Sequence, residues 1–119
     1  ISVEKCSRER ALDILQDSSV CVPWGIYADD ILDTTTLYIV NDKILLQLMP
    51  DGDEIEVHIA CKYRDRIGAR PMLAAGMVWL KSIGFVKIVT SAPENRKALQ
   101  KMLLSLGFIK LNERWVYGL

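Results

Sequence analysis

The chain has 119 residues, half of them apolar, and its fifteen basic and fifteen acidic residues give a formal net charge of zero. This length and composition predict one domain with a single hydrophobic core. Balanced charge argues against a broad nucleic-acid footprint, and no apolar run approaches the roughly 20 residues of a membrane-spanning helix. The start of the sequence shows no signal-peptide pattern, and Cys6, Cys21 and Cys61 are widely spaced. These features predict a cytoplasmic protein with buried thiols, without a disulfide framework or a zinc site.

The first third of the chain predicts a strand, a helix and an irregular segment. Ile1–Glu4 is predicted to be a strand, and Ser7 is predicted to cap a helix that ends at residues 17–19. Residues 20–33 contain a proline and a glycine that interrupt any regular element, apart from a short helical turn within them.

Three antiparallel strands form the clearest pattern that follows. They are predicted, with turns at 41–43 and 50–52 between them, at Thr34–Val40, Ile44–Met49 and Glu54–Ala60. In the third strand Glu54, Glu56 and His58 alternate with apolar residues, which places the three polar side chains on one face of the sheet.

The rest of the chain is predicted to form a helix, a strand that returns beside an earlier one, a last helix and two short strands. Pro71 suits the first turn of a helix that runs to about Ile83, and the strand Val86–Ser91 then returns beside the strand 54–60. A last helix is predicted to open at Ser91–Glu94 and to end at Gly107, before short strands at Phe108–Leu111 and Trp115–Tyr117. The predicted fold class is α/β (α+β), with the order β-α-β-β-β-α-β-α-β-β and a mixed, mostly antiparallel central sheet flanked by helices.

Two segments of the sequence resemble the GNAT (Gcn5-related N-acetyltransferase) superfamily. The segment "YRDRIGARPML", residues 63–73, is similar to the family's turn of the form Tyr-Arg-x-x-Gly-x-Gly/Ala and the helix that follows it. The segment "TSAPENRKALQKMLLSLGF", residues 90–108, is similar to its Asn-x-x-Ala helix and terminal Gly-Phe. The resemblance implies one GNAT-like domain over residues 1–119, in which 1–33 form the irregular acceptor side and 34–119 the core with the acetyl-CoA site.

The resemblance also implies acetyl-CoA as co-substrate, held between the strands 54–60 and 86–91, with its diphosphate on the backbone amides of residues 66–70 and no metal. The implied cofactor-binding residues are Ile59, Cys61, Arg64, Arg66, Ile67, Gly68, Ala69, Arg70 and Asn95. The sequence departs from the family at Ile67, where relatives have a glycine that lets the backbone approach the phosphates, and Gly68 is displaced by one position. The alternative interpretation is a proline-initiated helix whose arginines are solvated.

The predicted catalytic residues are His58 and Glu56. His58 is the only histidine, and its ordinary pKa of about 6.5 suits a general base near neutral pH. The alternative is a solvent-facing strand with ordinary polar side chains. Many relatives carry a tyrosine as general acid where this chain has Met102, and Tyr63, Tyr117 and Ser105 stay open as substitutes.

Aromatic residues outside these motifs are assigned mainly to packing. Trp79 is predicted to belong to the core, since aromatic burial is the common fate of an apolar helix position. Trp24 and Tyr27 lie in the irregular segment where GNAT proteins build the acceptor site, and both packing and acceptor contact stay open for them.

The resulting functional prediction is an N-acetyltransferase that acetylates a primary amine of a small molecule or protein by direct attack. The alternative is a catalytically silent binding or assembly module, because the sequence also looks like short GNAT-like proteins of tailed phages, some linked to the virion or head assembly. A third hypothesis is a sensor domain that binds CoA without transferring the acyl group. We expect no nucleic-acid or membrane partner, a cytoplasmic or virion-associated location, and a homodimer or assembly partner as an option.

Overall fold

The computed structural model of the protein describes residues 2–20, 36–92 and 94–118. Within these ranges it has three α-helices and seven strands, in the predicted order. They are β1 (Val3–Lys5), α1 (Arg8–Leu15), β2 (Leu37–Val40), β3 (Ile44–Asp51), β4 (Glu54–Cys61), α2 (Ala69–Ser82), β5 (Lys87–Thr90), α3 (Lys97–Ser105), β6 (Ile109–Leu111) and β7 (Arg114–Gly118). Cys21, Trp24 and Tyr27 lie outside the described residues, as does the helical turn predicted near them.

The seven strands form one sheet in the order β1-β2-β3-β4-β5-β7-β6. Only β4 and β5 are parallel neighbours, and every other adjacent pair is antiparallel. This confirms the predicted mixed, mostly antiparallel sheet and the return of the fifth strand beside the fourth. No helix in the described part of the chain has the length and apolarity needed to span a bilayer.

The turns between the central strands follow from residues that tolerate a positive φ. Asn41 and Asp42, between β2 and β3, have φ values of 52° and 58°, which asparagine and aspartate accept more readily than other residues. Gly52 has φ 65° in the link between β3 and β4. The prediction that β3 ends at Met49 was wrong, because Pro50 pairs with Ile55 and the ladder continues to Asp51. The positive φ of the turn falls on Gly52, after the last paired residue Asp51.

Two helix starts follow the prediction, since Ser7 caps α1 and Pro71 lies in the first turn of α2, whereas that of α3 differs. α2 begins at Ala69 with Gly68 as its N-cap residue, so Pro71 lies in the first turn, where its missing N–H costs nothing. α3 begins at Lys97 with Arg96 as its N-cap residue, and the predicted opening at Ser91–Glu94 was wrong. Arg96 provides no side-chain hydrogen bond to the helix start, so local capping chemistry does not determine where α3 begins.

The sheet separates two apolar clusters. α1 packs on one face against Leu37, Ile39, Leu45 and Ala60. α2 and α3 pack on the other face, where Leu73, Leu80 and Leu103 meet the apolar side chains of the central strands. Trp79 joins this second cluster and its ring lies 4.8 Å from that of Tyr38, measured between centroids. The predicted packing role of Trp79 is therefore confirmed. The helices cover the two faces of the sheet, and the site lies at the ends of the strands.

An added methyl group is expected to have opposite effects on the free energy of unfolding at two glycines. Gly76 lies within α2, and a Cβ there would meet Leu46 and Val40 at 3.6 Å, an ordinary contact distance. Gly107 has φ 100°, and a Cβ there would lie 2.8 Å from the ring of Tyr117. We expect Gly76→Ala to raise the free energy of unfolding by about 0.5–1 kcal/mol, and Gly107→Ala to lower it by about 2 kcal/mol. Urea unfolding monitored by circular dichroism measures both, and equal effects of the two substitutions would contradict this description of the packing.

Candidate functional site

The site begins where β4 and β5 separate. β4 pairs with β3 along its whole length, from Glu54 to Cys61, but its register with β5 covers only Glu54–Glu56. At the end of β5 the buried hydroxyl of Thr90 donates a hydrogen bond of 2.7 Å to the carbonyl oxygen of Val57. This bond satisfies a buried acceptor just beyond the last paired residue, where an unmet carbonyl would be costly. β4 therefore continues past the end of β5, and on that side its residues 57–61 have no strand partner in the described part of the chain.

A cavity of about 550 Å³ occupies the opening, within the usual size range of ligand pockets. Its walls come from the second half of β4, from the start of α2 and from the segment that leads into α3. They include His58, Ile59, Ala60, Cys61, Arg66, Ala69, Leu73, Ser91, Asn95, Arg96, Lys97, Ala98 and Met102. Ala60 packs with the α1 cluster, whereas Ile59 and Cys61 pack with the α2–α3 cluster. The cavity is therefore lined by side chains from both faces of β4.

The predicted cofactor-binding residues divide into two groups in the structure. Those that line the cavity are Ile59, Cys61, Arg66, Ala69 and Asn95. Arg64, Ile67, Gly68 and Arg70 do not line it. The guanidinium of Arg70 instead donates to the hydroxyl and carbonyl oxygens of Ser105, at the end of α3. Arg70 therefore joins the two helices through its side chain and offers the cavity mouth only its backbone.

The backbone at the start of α2 carries free donors. Gly68 has φ 77°, a left-handed conformation that favours glycine. The side chain of Ile67 is 91 % exposed, so it does not fill the cavity. Among the described residues no acceptor is found for the amides of Ile67, Gly68 and Arg70, and the first turn of α2 holds no acidic side chain. Free amides at a helix start, with the positive end of the helix dipole, suit an anion.

Ser19 joins the loop after β4 to the start of α3. Its hydroxyl accepts a hydrogen bond of 3.0 Å from the amide of Tyr63. Its carbonyl oxygen accepts bonds from two guanidiniums, that of Arg66 at 3.0 Å and that of Arg96 at 2.7 Å. Burial, and secondarily the charge of Arg66, lower the pKa of Arg96. Sequence reasoning missed Ser19 and Arg96, and the only available signal was the position of Arg96 directly after the motif asparagine.

His58 is the predicted base, and it lines the cavity. Its side chain is 31 % exposed, and its Nε2 atom lies 3.7 Å from Oε1 of Glu56 on the same strand face. Glu56 itself is exposed and does not line the cavity. The carboxylate of Glu54 forms ion pairs with Arg114 and Lys87. His58 is therefore the titratable group of this strand face that meets the cavity, and Glu56 is its carboxylate neighbour.

The substitutes for the general acid do not line the cavity. The side chain of Tyr63 is 74 % exposed, and Tyr117 packs its ring on Phe108. The hydroxyl of Ser105 donates to the carbonyl oxygen of Met102. Met102 does line the cavity, where its thioether cannot donate a proton.

The comparisons with known proteins show the fold. No protein-family model and no curated protein matches the sequence. Among solved structures, the ribosomal-protein-S18-alanine N-acetyltransferase of Escherichia coli is similar, with TM-score 0.71 and 13% identity over 97% of this chain and 88% of that one. An acetyltransferase of the GNAT family from Streptococcus pneumoniae has TM-score 0.65 and 11% identity, over 97% and 95% of the two chains.

A third similar structure is a PaiA N-acetyltransferase from Thermoplasma acidophilum in complex with coenzyme A, with TM-score 0.65 and 11% identity over 97% of this chain and 95% of that one. Identities this low carry the fold alone. The chain therefore has the fold of the GNAT acetyltransferases, as the resemblance of its motifs implied.

Cys61 gives a chemical test of the cavity wall. Burial, and secondarily the charge of Asp65, raise the pKa of the Cys61 thiol to about 11, so the thiol stays protonated at neutral pH. We expect its alkylation by iodoacetamide at pH 8 to be about 100-fold slower than that of glutathione, because only the thiolate reacts. The rate should rise about tenfold per pH unit between pH 7 and 9.5. Peptide mass spectrometry resolves Cys61 from the other cysteines, and alkylation at the rate of glutathione would contradict the buried, protonated thiol.

Proposed function

We propose that the protein is an N-acetyltransferase, which transfers an acetyl group from acetyl-CoA to a primary amine of a small molecule or protein. The observation that carries the proposal is the cavity between the separated strands β4 and β5, with free amides at the start of α2 beside its mouth. A slot of this kind suits a long, thin carrier with an anionic end. The GNAT fold supports the same assignment.

The residues that line the cavity fit acetyl-CoA in one orientation along β4. In the proposed arrangement the free amides of Ile67, Gly68 and Arg70 would hold the diphosphate, because Gly68 has no Cβ there and the side chain of Ile67 is exposed. The wall of β4 from Cys61 to His58 would hold the pantetheine, and the bound carrier would supply the acetyl group as a thioester.

The chain's contribution to the chemistry is to remove a proton and exclude water. A primary amine attacks a thioester only when it is neutral, so a base must take up its proton. His58 can accept that proton at its imidazole, and the carboxylate of Glu56 lies 3.7 Å from its Nε2 atom. The bound carrier supplies the acyl group, and its thiol leaves as a thiolate that solvent can protonate. Direct attack in the cavity needs no covalent intermediate on the protein.

Binding of acetyl-CoA is tested first, with a variant that fills the cavity. Ala98 is exposed and lines the cavity, so Ala98→Trp should place an indole in the slot without disturbing the core. We expect calorimetry to show one acetyl-CoA site in the wild-type protein and at least about tenfold weaker binding in this variant. Val78→Trp is the matched control, because Val78 is 70 % exposed on α2 and away from the cavity. No binding at millimolar acetyl-CoA would end the proposal.

The role of His58 is tested by turnover. We expect His58→Ala to lower kcat by about 10²–10⁴-fold, as loss of a general base does, and to leave the acetyl-CoA affinity within about twofold of wild type. Release of CoA thiol is followed with a panel of polyamines, amino acids and lysine-containing peptides.

Two results would contradict that role. Unchanged turnover in His58→Ala would remove His58 from the mechanism while leaving transfer itself in place. Binding of acetyl-CoA without turnover on any amine of the panel would favour a CoA-binding module over an enzyme.

A further inference from the structure

Two arginines from opposite walls of the cavity converge on one oxygen. Arg66 precedes α2 and Arg96 precedes α3, and each donates a guanidinium N–H to the carbonyl oxygen of Ser19. The two donor nitrogens are both within hydrogen-bonding distance of the same atom, so the guanidiniums are close neighbours. Both side chains are half-buried and both line the cavity. We refer to Arg66 and Arg96 as the arginine pair.

The arginine pair is an uncompensated concentration of positive charge. Every ion pair found in the described part of the chain involves other residues, and none includes Arg66 or Arg96. The neighbouring carboxylate of Asp17 accepts hydrogen bonds from the amide and hydroxyl of Ser19. A single neutral carbonyl therefore separates two like charges that burial has partly removed from water. An anion placed between them would relieve this repulsion.

The pair also has donors to spare. A guanidinium has five N–H donors in a planar fork. Arg66 uses Nε on the carbonyl oxygen of Cys61 and one Nη2 bond on Ser19, and Arg96 uses one Nη2 bond on Ser19. The remaining N–H groups of both forks suit a group with several anionic oxygens, and guanidiniums bind phosphate oxygens in pairs.

Charge and oxygen count distinguish two kinds of phosphate. Each phosphoryl unit of a diphosphate diester has one negative charge and two terminal oxygens, which a row of backbone amides can bind. A phosphomonoester has three terminal oxygens and a charge of about −1.5 to −2 at pH 7, because its second pKa is about 6. Two guanidiniums at close range match the monoester in both respects. Coenzyme A contains one phosphomonoester, the 3′-phosphate of its ribose.

We propose that the arginine pair is a second phosphate site, separate from the amides of α2, which binds the 3′-phosphate of coenzyme A. The inference rests on the proposed function and makes Arg96 a specificity residue for the phosphorylated carrier. The protein then distinguishes coenzyme A from 3′-dephospho-coenzyme A, which shares the diphosphate and the pantetheine.

The test is calorimetry with coenzyme A and 3′-dephospho-coenzyme A at pH 7.5. We expect the wild-type protein to bind coenzyme A at least about tenfold more tightly, the usual effect of losing a charge-assisted hydrogen bond. Arg96→Gln should reduce this preference to about twofold or less while leaving the affinity for the dephospho form unchanged. Lys101→Gln is the matched control, because it removes one positive charge from an exposed position of α3 that does not line the cavity. Its preference should equal that of wild type.

Arg96→Lys and a pH series separate ligand contact from folding. The lysine variant keeps the charge without the planar fork, so its preference should be intermediate. In the wild-type protein the preference should shrink between pH 7.5 and 5.5, as the monoester takes up its second proton. Thermal unfolding of each ligand-free variant shows whether the fold is retained.

The opposing outcomes are distinct. Equal wild-type affinity for the two ligands overturns the inference and leaves the acetyl-CoA proposal standing. An equal loss for both ligands in Arg96→Gln also overturns it, since Arg96 would then support the cavity in general. Failure of the wild-type protein to bind either ligand removes the inference together with the proposed function.

Discussion

The unequal pairing of β4 with its two neighbours is the constraint from which the site follows. β4 pairs with β3 from Glu54 to Cys61, whereas its pairing with the shorter β5 stops at Glu56 and is followed by the hydrogen bond from Thr90 to Val57. The hydroxyl of Thr90 satisfies the carbonyl of Val57 without continuing the ladder, so the first residue past the pairing has no unmet acceptor there. The cavity, its basic mouth and the exposure of His58 to it all depend on this opening.

Although the net charge is zero, the charged side chains near the two ends of β4 differ: in the described part of the chain they are paired at one end and unpaired cations at the other. At the closed end of the strand pair, the carboxylate of Glu54 is matched by Arg114 and Lys87. At the open end Arg66, Arg96 and Lys97 line the cavity, and none of the three has an ion-pair partner among the described residues. This unpaired positive charge favours an elongated ligand that places its anionic end at the open end. A balanced composition excludes a broad basic surface but permits a local basic site.

The sequence predicted the elements better than it predicted the site. The alternation in residues 54–60 and the turn residues of the central strands are local signals, and the structure follows them closely. The start of α3 was misjudged, because no capping side chain determines it. Arg96 reaches Ser19 across 77 positions of sequence, a contact that no periodicity or spacing reveals. Likewise, a branched residue at 67 suggested obstruction, whereas the direction of its side chain depends on the loop fold.

Because both faces of β4 line the cavity, two substrates could contact the strand from different sides. His58 shares a strand face with Ala60, on the α1 side, whereas Ile59 and Cys61 belong to the α2–α3 side. Under the proposed function, the carrier and the amine would therefore contact different faces of β4. The protonated thiol of Cys61 agrees with direct attack, because in that reaction no acyl group is bound covalently to the protein.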